Sequence, residues 1–208
     1  YNEEKGFELA GFVWFQGWND MVASGTYPNR GQAGGYDAFT DCLAHFIRDV
    51  RKDLDAPKMK FVIGVMGVGG PWDQYASQRY VPIRGAFREA MAAPSLMPEF
   101  KGNVFAVRTA KFWDMRLKEL EDNQERVKQM AGFLKNKHKE YANRDGSMSA
   151  SEQKEYVEKY RRKLISTEDE AYAKMARSNG GYDYYGSAKT MAQIGKAFAE
   201  ATLQMTLP

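Results

Sequence analysis

The stretch Gly11-Phe12-Val13-Trp14-Phe15-Gln16-Gly17-Trp18-Asn19-Asp20 joins an apolar run to a short polar loop. Its first half consists mostly of residues with high strand propensity, and its second half contains a glycine and several side chains that form hydrogen bonds. In open α/β sheets, ligands and catalytic groups collect at the carboxyl ends of buried strands. The stretch therefore predicts a buried strand that is followed by a functional loop.

Two roles are open for Asn19 in this loop. Its neutral amide could donate to a developing oxyanion in a site that excludes water, where donors that are already oriented contribute most. Alternatively, Asn19 or Asp20 could cap a turn or a short helix, which is a common role for both residue types. The spacing alone does not separate these interpretations.

The composition excludes several classes of protein. Of the 208 residues, 43% are hydrophobic and 27% are charged, which is typical of one globular domain with or without an insertion. The 30 Lys and Arg residues are interspersed with the 27 Asp and Glu residues, so no basic stripe indicates a nucleic-acid partner. No run approaches the roughly 20 apolar residues of a membrane span. A single cysteine, Cys42, rules out an internal disulfide, and we expect a helix to bury it.

Strand and helix patterns alternate along the first half of the chain. Apolar spacing predicts helices over 38–54 and 81–93, and apolar runs predict strands over 61–66 and 103–107. Strands of this kind, joined by helices, favour parallel pairing through right-handed crossovers. We therefore expect an α/β fold, which a final helix over 188–205 completes.

Two loops follow the first two strands and are candidates for ligand binding. Arg30, in the long loop 21–35, could meet an anionic or hydroxyl-rich ligand, although a loop arginine is also a common partner in surface ion pairs. Trp72, in the glycine-rich loop 67–72, could cover a sugar ring or could close the hydrophobic core. Both interpretations of each residue remain open.

The region 112–177 has a different pattern, which predicts a helical hairpin. Its first helix carries a seam of residues at alternating steps of four and three, and the residues between them are mostly charged or polar. These seam positions are Trp113, Leu117, Leu120, Gln124, Val127, Ala131 and Leu134. The charged surface of this hairpin is a possible docking face for a protein partner.

Residues 141–152, between the two predicted helices, resemble a calcium-binding EF-hand loop. The candidate ligands are Asn143, Asp145, Ser149 and Glu152, but Tyr141 replaces the aspartate that normally opens such a loop. Ser149 and Glu152 also have the spacing of a helix-capping box. We favour the capping box, which requires no metal.

Two blocks of the sequence carry a resemblance to a known family. The first is Trp14–Asp20 (WFQGWND), and the second is Gly186–Thr190 (GSAKT), which continues to Phe198 through Ile194-Gly195-Lys196-Ala197. With Tyr27–Arg30 (YPNR) and Ile63–Gly70 (IGVMGVGG) between them, they resemble bacterial sialate O-acetylesterase-like carbohydrate esterases of the SGNH hydrolase superfamily. The resemblance covers most of this chain but only the later part of the family's domain.

The resemblance implies serine esterase chemistry on an acetylated sugar, without a cofactor. The family's site contains a serine nucleophile, a histidine base and the asparagine of a Gly-x-Asn-Asp block. Gly17–Asp20 matches that block, so Asn19 takes the oxyanion role, and Gln16 and Gly17 shape the same loop. We expect the sugar to contact the aromatic side chains Trp18, Trp72 and Tyr182, with Arg30 as a further contact.

Two parts of the family's site are missing from this sequence. The Gly-Gln-Ser-Asn nucleophile motif does not occur, and we expect the serine to lie before Tyr1 in a larger protein. Asp183 stands where the family has its histidine. A carboxylate is a far weaker base than imidazole and lacks the second ring nitrogen that a triad orients. We therefore expect no ester hydrolysis by the usual triad from these 208 residues alone.

Three hypotheses for function follow. The first is a fragment of a carbohydrate O-acetylesterase, with a three-layer α/β sandwich and a mostly parallel sheet of SGNH or flavodoxin type. The second is a non-catalytic relative that binds glycans, and the third is a protein-interaction module that uses the hairpin. The expected domains are an esterase-like body over 1–111, the hairpin insertion over 112–177, and the distal loop with the last helix over 178–208. By resemblance, the protein is expected to be bacterial and secreted or periplasmic.

Overall fold

The computed structural model describes residues 6, 8–71 and 80–205, and its secondary structure is mainly helical. The strands are β1 (Phe12–Trp14), β2 (Phe61–Val65) and β3 (Val104–Arg108). The α-helices are α1 (Trp18–Val22), α2 (Asp37–Asp53), α3 (Val81–Ala92), α4 (Met115–Lys135), α5 (Ala150–Leu164), α6 (Thr167–Ala176) and α7 (Ala188–Gln204). A 3₁₀ turn over Gly181–Gly186 precedes α7.

The three strands form one parallel sheet in the order β1-β2-β3. Val13 pairs with Val62, and Ile63 pairs with Ala106. Parallel strands need a long connection that brings the chain back to the start of the sheet, and the helices between successive strands provide it. The predictions of an α/β fold and of a parallel sheet are confirmed.

The core strand β2 packs between helices on both sides. All five of its residues are buried. On one side, the Phe61 ring meets Phe46 of α2, and on the other side Val62 packs in a cluster with Ala201 of α7. A Cβ atom on Gly64 would lie 2.4 Å from Phe15 and 2.6 Å from Phe198, so a larger residue would separate the sheet from α7.

Cys42 of α2 is exposed, so the expectation that this helix buries it is wrong. The buried face of α2 is formed by Leu43, Ala44 and Ile47. Cys42 directly precedes Leu43, and a helix rotates each successive side chain by about 100°. Cys42 therefore points away from the core.

The chain divides into two compact units. Residues 1–113 and 189–208 form one unit, called the α/β unit below, and residues 114–188 form the helical unit. The domain limits expected from the sequence, 1–111, 112–177 and 178–208, remain predictions. In the helical unit, α4 packs against α5 and α6.

The buried seam of α4 differs from the predicted one in the middle of the helix. Leu117, Leu120 and Leu134 are buried as predicted, but Gln124 and Ala131 are exposed. Their places are taken by Asn123 and Met130, and the Asn123 amide donates to the Leu164 carbonyl at 3.0 Å. That hydrogen bond satisfies a polar group inside the seam and fixes the rotation of α4 against the end of α5.

No helix within the described parts of the chain combines the length and the apolar character that crossing a membrane requires.

Candidate functional site

The loop after β1 places Gln16 and Gly17 at the carboxyl end of that strand. The Gln16 side chain is exposed, whereas Gly17 is buried. Gly17 has a φ of 155°, and a Cβ atom there would lie 2.8 Å from the Phe87 ring of α3. Both the backbone conformation and the close ring therefore require glycine, which leads the chain directly from β1 into α1.

Asn19 is the second residue of α1, and its side chain is exposed. Gly17 occupies the N-cap position of this helix, and no side chain makes a capping hydrogen bond. The capping interpretation of Asn19 and Asp20 is therefore wrong, although the short helix exists. Within the described residues, the Asn19 amide forms no hydrogen bond, so its N–H groups are available to a ligand.

A cleft of about 310 Å³ lies beside α1, and we call it the α1 cleft. It contains Trp18 and Arg30, two of the four residues that the sequence predicts as sugar contacts. The other lining residues are Met21, Val22, Tyr80, Ile83 and Arg84. Aromatic rings, apolar walls and a few charged donors are the usual components of a small-ligand site.

Arg30 reaches the α1 cleft because the end of α1 holds its side chain. Its Nη1 atom donates to the carbonyl oxygen of Val22. Among the residues described by the structure, Arg30 has no carboxylate partner, so the ion-pair interpretation finds no support there. The guanidinium has five N–H donors, and those not used on Val22 can contact a ligand.

Tyr36 anchors the loop that carries Arg30. Only 1% of Tyr36 is exposed, and its hydroxyl donates to the Met21 carbonyl at 2.6 Å. The Tyr36 ring packs against Tyr27 and Phe87, with centroids 5.1 and 4.9 Å away. Burial raises the pKa of Tyr36 to about 12 and also raises the pKa of Tyr27. The loop between α1 and α2 is therefore held at both α1 and α3.

Two arginines of α3, which the sequence reasoning missed, organise the loop after β2. The Arg88 side chain is 5% exposed, and it donates to the carbonyls of Met66, Val68 and Gly70 at 2.9, 3.1 and 3.0 Å. One helical turn earlier, the Arg84 guanidinium lies against Gly69, where a Cβ atom would come within 2.1 Å of Nη1. The available sequence signal was the pair of arginines at i and i+4, which places both on one face of the predicted helix.

Tyr182 and Asp183, the other predicted site residues that the structure describes, belong to the helical unit. Both are exposed in the turn Gly181–Gly186. The Asp183 carboxylate accepts a hydrogen bond from the Asn179 amide at 2.7 Å, and the Asn179 amide oxygen accepts one from the Gly180 N–H at 2.8 Å. Asp183 therefore takes part in the local structure of this turn.

The same turn contains two consecutive tyrosines with left-handed backbone. Tyr184 and Tyr185 have φ values of 52° and 60°, and both are buried. Each such non-glycine residue costs on the order of 1 kcal/mol or more, so the surroundings must impose the conformation. The Tyr185 hydroxyl donates to Glu121 at 3.0 Å, and its carbonyl accepts from the backbone of Ser178 and Asn179. These contacts hold the turn in place.

The calcium-like loop is used for helix capping. The Ser149 hydroxyl accepts from the Glu152 N–H, and the Glu152 carboxylate accepts from the Ser149 N–H at 2.7 Å, which confirms the capping box. Asn143 is 2% exposed, and its amide oxygen accepts from the Met148 N–H at 2.9 Å. Asp145 accepts from the Ser147 N–H and hydroxyl. All four candidate ligands therefore have intramolecular partners.

In the parts of the chain that the structure describes, no group of three or more His, Cys, Asp or Glu side chains could hold a metal ion. Trp72, the remaining predicted sugar contact, lies outside the described residues. Comparisons with protein-family models, curated proteins and solved structures found no match for this chain. A functional assignment therefore depends on the geometry of the α1 cleft and on the sequence.

Proposed function

We propose that the chain carries the oxyanion and sugar-contact parts of a carbohydrate O-acetylesterase of the SGNH hydrolase superfamily, on a three-layer α/β sandwich. The observation that supports this proposal is the exposed amide of Asn19 in α1, the helix that follows the carboxyl end of parallel strand β1, while its neighbour Trp18 lines the α1 cleft. Gly17 makes this position possible, because its backbone begins α1 immediately after the loop.

In the proposed reaction, a serine oxygen gives its proton to a base and attacks the acetyl carbon, and the carbonyl π electrons move to the acetyl oxygen, which becomes negatively charged. Collapse of this intermediate breaks the ester bond, releases the sugar hydroxyl and leaves the acetyl group on the serine. The Asn19 amide donates a hydrogen bond to that oxygen, and Trp18 and Arg30 contact the sugar. A donor that is already in place stabilises the transition state more than the ground state, since the charge develops only during the attack. The 208 residues contain no Gly-x-Ser sequence, and Asp183 occupies the family's histidine position. The proposal therefore assigns neither the nucleophile nor the base to this chain.

The test measures hydrolysis of p-nitrophenyl acetate and of acetylated oligosaccharides by the protein as its gene encodes it. We expect hydrolysis, and we expect Asn19→Ala to reduce it roughly 100-fold or more, the usual effect of losing one oxyanion donor. Asn136→Ala, which removes an exposed amide at the end of α4, is the matched control and should have no effect. Absence of hydrolysis, or equal activity of both variants, would contradict the proposal.

A second candidate function is glycan binding without cleavage. It is favoured by the hydrogen bond that joins Asp183 to Asn179 within the helical unit, because this carboxylate already serves a structural contact. In this case, the 208-residue chain binds acetylated oligosaccharides in the α1 cleft and releases no acetate.

Calorimetric titration with an acetylated oligosaccharide tests this second candidate. We expect Trp18→Ala to weaken binding about tenfold, because aromatic rings in clefts are typical hot spots. Tyr156→Ala removes an exposed ring of α5 and should leave the affinity unchanged. Saturable binding without acetate release supports this candidate. If Trp18→Ala and Tyr156→Ala both bound the oligosaccharide as tightly as the wild type, the α1 cleft would be excluded as the binding site.

A further inference from the structure

A second cleft lies at the carboxyl ends of β2 and β3, and we call it the strand-end cleft. Its volume is about 430 Å³, and its lining includes Val65, Met66, Arg88, Arg108, Thr109 and Lys111. Parallel α/β sheets bind ligands at this end of their strands, and small-molecule sites commonly have volumes of about 300 to 1,000 Å³. Position and size both indicate a ligand site.

The floor of the strand-end cleft is ordered and mostly apolar. Val65 and Met66 are 1% and 7% exposed, so their side chains are held by the core. Thr109 is completely buried, and its hydroxyl donates to the Val65 carbonyl at 2.8 Å. That hydrogen bond joins the ends of β2 and β3, and the floor therefore suits the apolar body of a ligand.

The rim of the strand-end cleft is cationic. Among the residues that the structure describes, Arg88, Arg108 and Lys111 line it, and no acidic residue does. The Lys111 side chain is exposed, with its ammonium 5.0 Å from the centroid of the Phe112 ring, and it forms no ion pair with any described residue. Arg88 is buried and its guanidinium binds loop carbonyls, so the exposed positive charges at the opening are those of Arg108 and Lys111, which favour a negatively charged ligand.

Arg108 already shows how this rim holds a carboxylate. Its Nη1 and Nη2 atoms donate to the two carboxylate oxygens of Glu89, both at 2.7 Å. The side chains of Arg108 and Glu89 are 54% and 61% exposed, so water reaches and screens the pair. Because the Arg108 fork is accessible from solvent, a ligand carboxylate can compete with Glu89 for it.

We propose that the strand-end cleft binds a small organic carboxylate, whose apolar body lies against Met66 and Ala110 and whose charged group is held by Lys111 and Arg108. The apolar floor favours this ligand over inorganic phosphate, which has no apolar body. The site is separate from the α1 cleft, and the inference does not depend on the proposed function.

The proposal predicts opposite effects for two exposed residues. Lys111→Gln removes a contact to the ligand and should weaken binding about two- to fivefold, the effect of one exposed charge pair. Glu89→Gln removes the carboxylate that competes for Arg108 and should strengthen binding by a similar factor. The matched control is Glu99→Gln, since Glu99 also accepts two hydrogen bonds from one arginine, Arg48, whose Nε and Nη2 atoms lie 3.2 and 2.6 Å from its carboxylate oxygens.

The experiment titrates the ¹⁵N-labelled protein with sodium benzoate and with the neutral analogue benzamide, and follows the amide resonances. We expect saturable shifts at Met66, Arg108 and Lys111 with benzoate, weaker binding of benzamide, and unchanged benzoate affinity in Glu99→Gln. Equal binding of benzoate and benzamide would overturn the proposal. So would the absence of saturable shifts, tighter binding of inorganic phosphate than of benzoate, or equal affinity of Lys111→Gln and Glu89→Gln.

Discussion

Gly17 is the residue on which the geometry of the α1 cleft depends most. Alanine at this position would place a Cβ atom 2.8 Å from the Phe87 ring, in a backbone conformation that side chains rarely adopt. We expect Gly17→Ala to lower the free energy of unfolding by about 2 kcal/mol or more, from strain and overpacking together. Urea denaturation followed by circular dichroism measures the change.

The control for this substitution is Gly195 in α7, which belongs to the same α/β unit. A Cβ atom there meets nothing within 4 Å. Gly195→Ala should therefore raise the free energy of unfolding by about 0.5 to 1 kcal/mol, the usual gain in an exposed helix. A stable Gly17→Ala variant would show that the turn after β1 tolerates side chains, contrary to this account.

Tyr36 links the stability of the α/β unit to pH. Its pKa is raised from 10.0 to about 12, so the fold favours the protonated hydroxyl. This contribution is fully present below pH 10 and is lost as the pH rises through 12. We expect Tyr36→Phe to cost about 1 kcal/mol at pH 7, from the hydrogen bond to Met21. The difference between the wild type and the variant should shrink between pH 10 and 12.

Urea denaturation at pH 7 and pH 11 checks this expectation. Tyr156→Phe is the control, because Tyr156 is exposed and its hydroxyl has no partner among the described residues. A difference between the wild type and Tyr36→Phe that stays constant up to pH 12 would be inconsistent with a buried, protonated Tyr36.

The sequence identified some residues of the two clefts and missed others for a physical reason. Trp18 begins α1, and Arg30 lies in the loop after this short helix. Both follow strand β1 in the chain, and residues that follow a buried strand are expected at the carboxyl edge of the sheet. Arg84 and Arg88 lie in a helix, and hydrophobic spacing does not reveal that a buried arginine binds loop carbonyls. Such residues become visible only when the partner carbonyls are in place.

At the scale of elements, the start of α5 allows an experiment that distinguishes the two roles considered for Ser149 and Glu152, helix capping and calcium binding. Ser149→Ala removes the hydroxyl of the capping box and should lower the free energy of unfolding by about 1 kcal/mol at neutral pH. Hydrogen bonds from Ser149 hold the pKa of Glu152 below its ordinary value of 4.5. The contribution of the ionised Glu152 to stability is therefore present above pH 4.5 and is lost as the pH falls through the lowered pKa of this residue.

Thermal denaturation with and without calcium chloride makes the measurement. Ser151→Ala, in the first turn of the same helix, is the control and should have little effect. We expect calcium to leave both denaturation midpoints unchanged. A rise in the midpoint on adding calcium, if Ser149→Ala abolished it, would favour the metal site.

The middle of α4 shows why the presence of a helix is easier to predict than which of its residues face the core. Leucines at both ends fixed the predicted seam, but Asn123 replaces Gln124 on the buried side because its amide reaches the Leu164 carbonyl. A polar residue in a seam carries no hydrophobic signal. Its burial depends on a partner 41 residues away, which spacing within one helix does not show.

At the scale of the whole molecule, the two compact units predict two cooperative blocks. Each unit has its own set of packed elements, so local opening should propagate within a unit before it reaches the other. We expect native-state hydrogen exchange to group the amides of 114–188 separately from those of α2, β2 and α3. Identical opening free energies and denaturant slopes in both groups would show one cooperative unit instead.

The α/β class and the parallel sheet were predictable from the whole sequence. Buried strands such as β2 are short apolar runs, and the helices between them have clear periodicity. The left-handed backbone of Tyr184 and Tyr185 was not predictable, because it depends on contacts with Glu121 and Ser178. Local pattern therefore determined the elements, and tertiary contacts determined the turns between them.

The most direct test of the central claim compares kcat and KM of Asn19→Ala with those of the wild type, on p-nitrophenyl acetate, in the protein as its gene encodes it. A donor that acts only on the developing oxyanion contributes to the transition state and hardly to substrate binding. We expect a kcat lower by roughly 100- to 1,000-fold with KM nearly unchanged. An unchanged kcat, or a loss confined to KM, would contradict the assignment of Asn19 as the oxyanion donor.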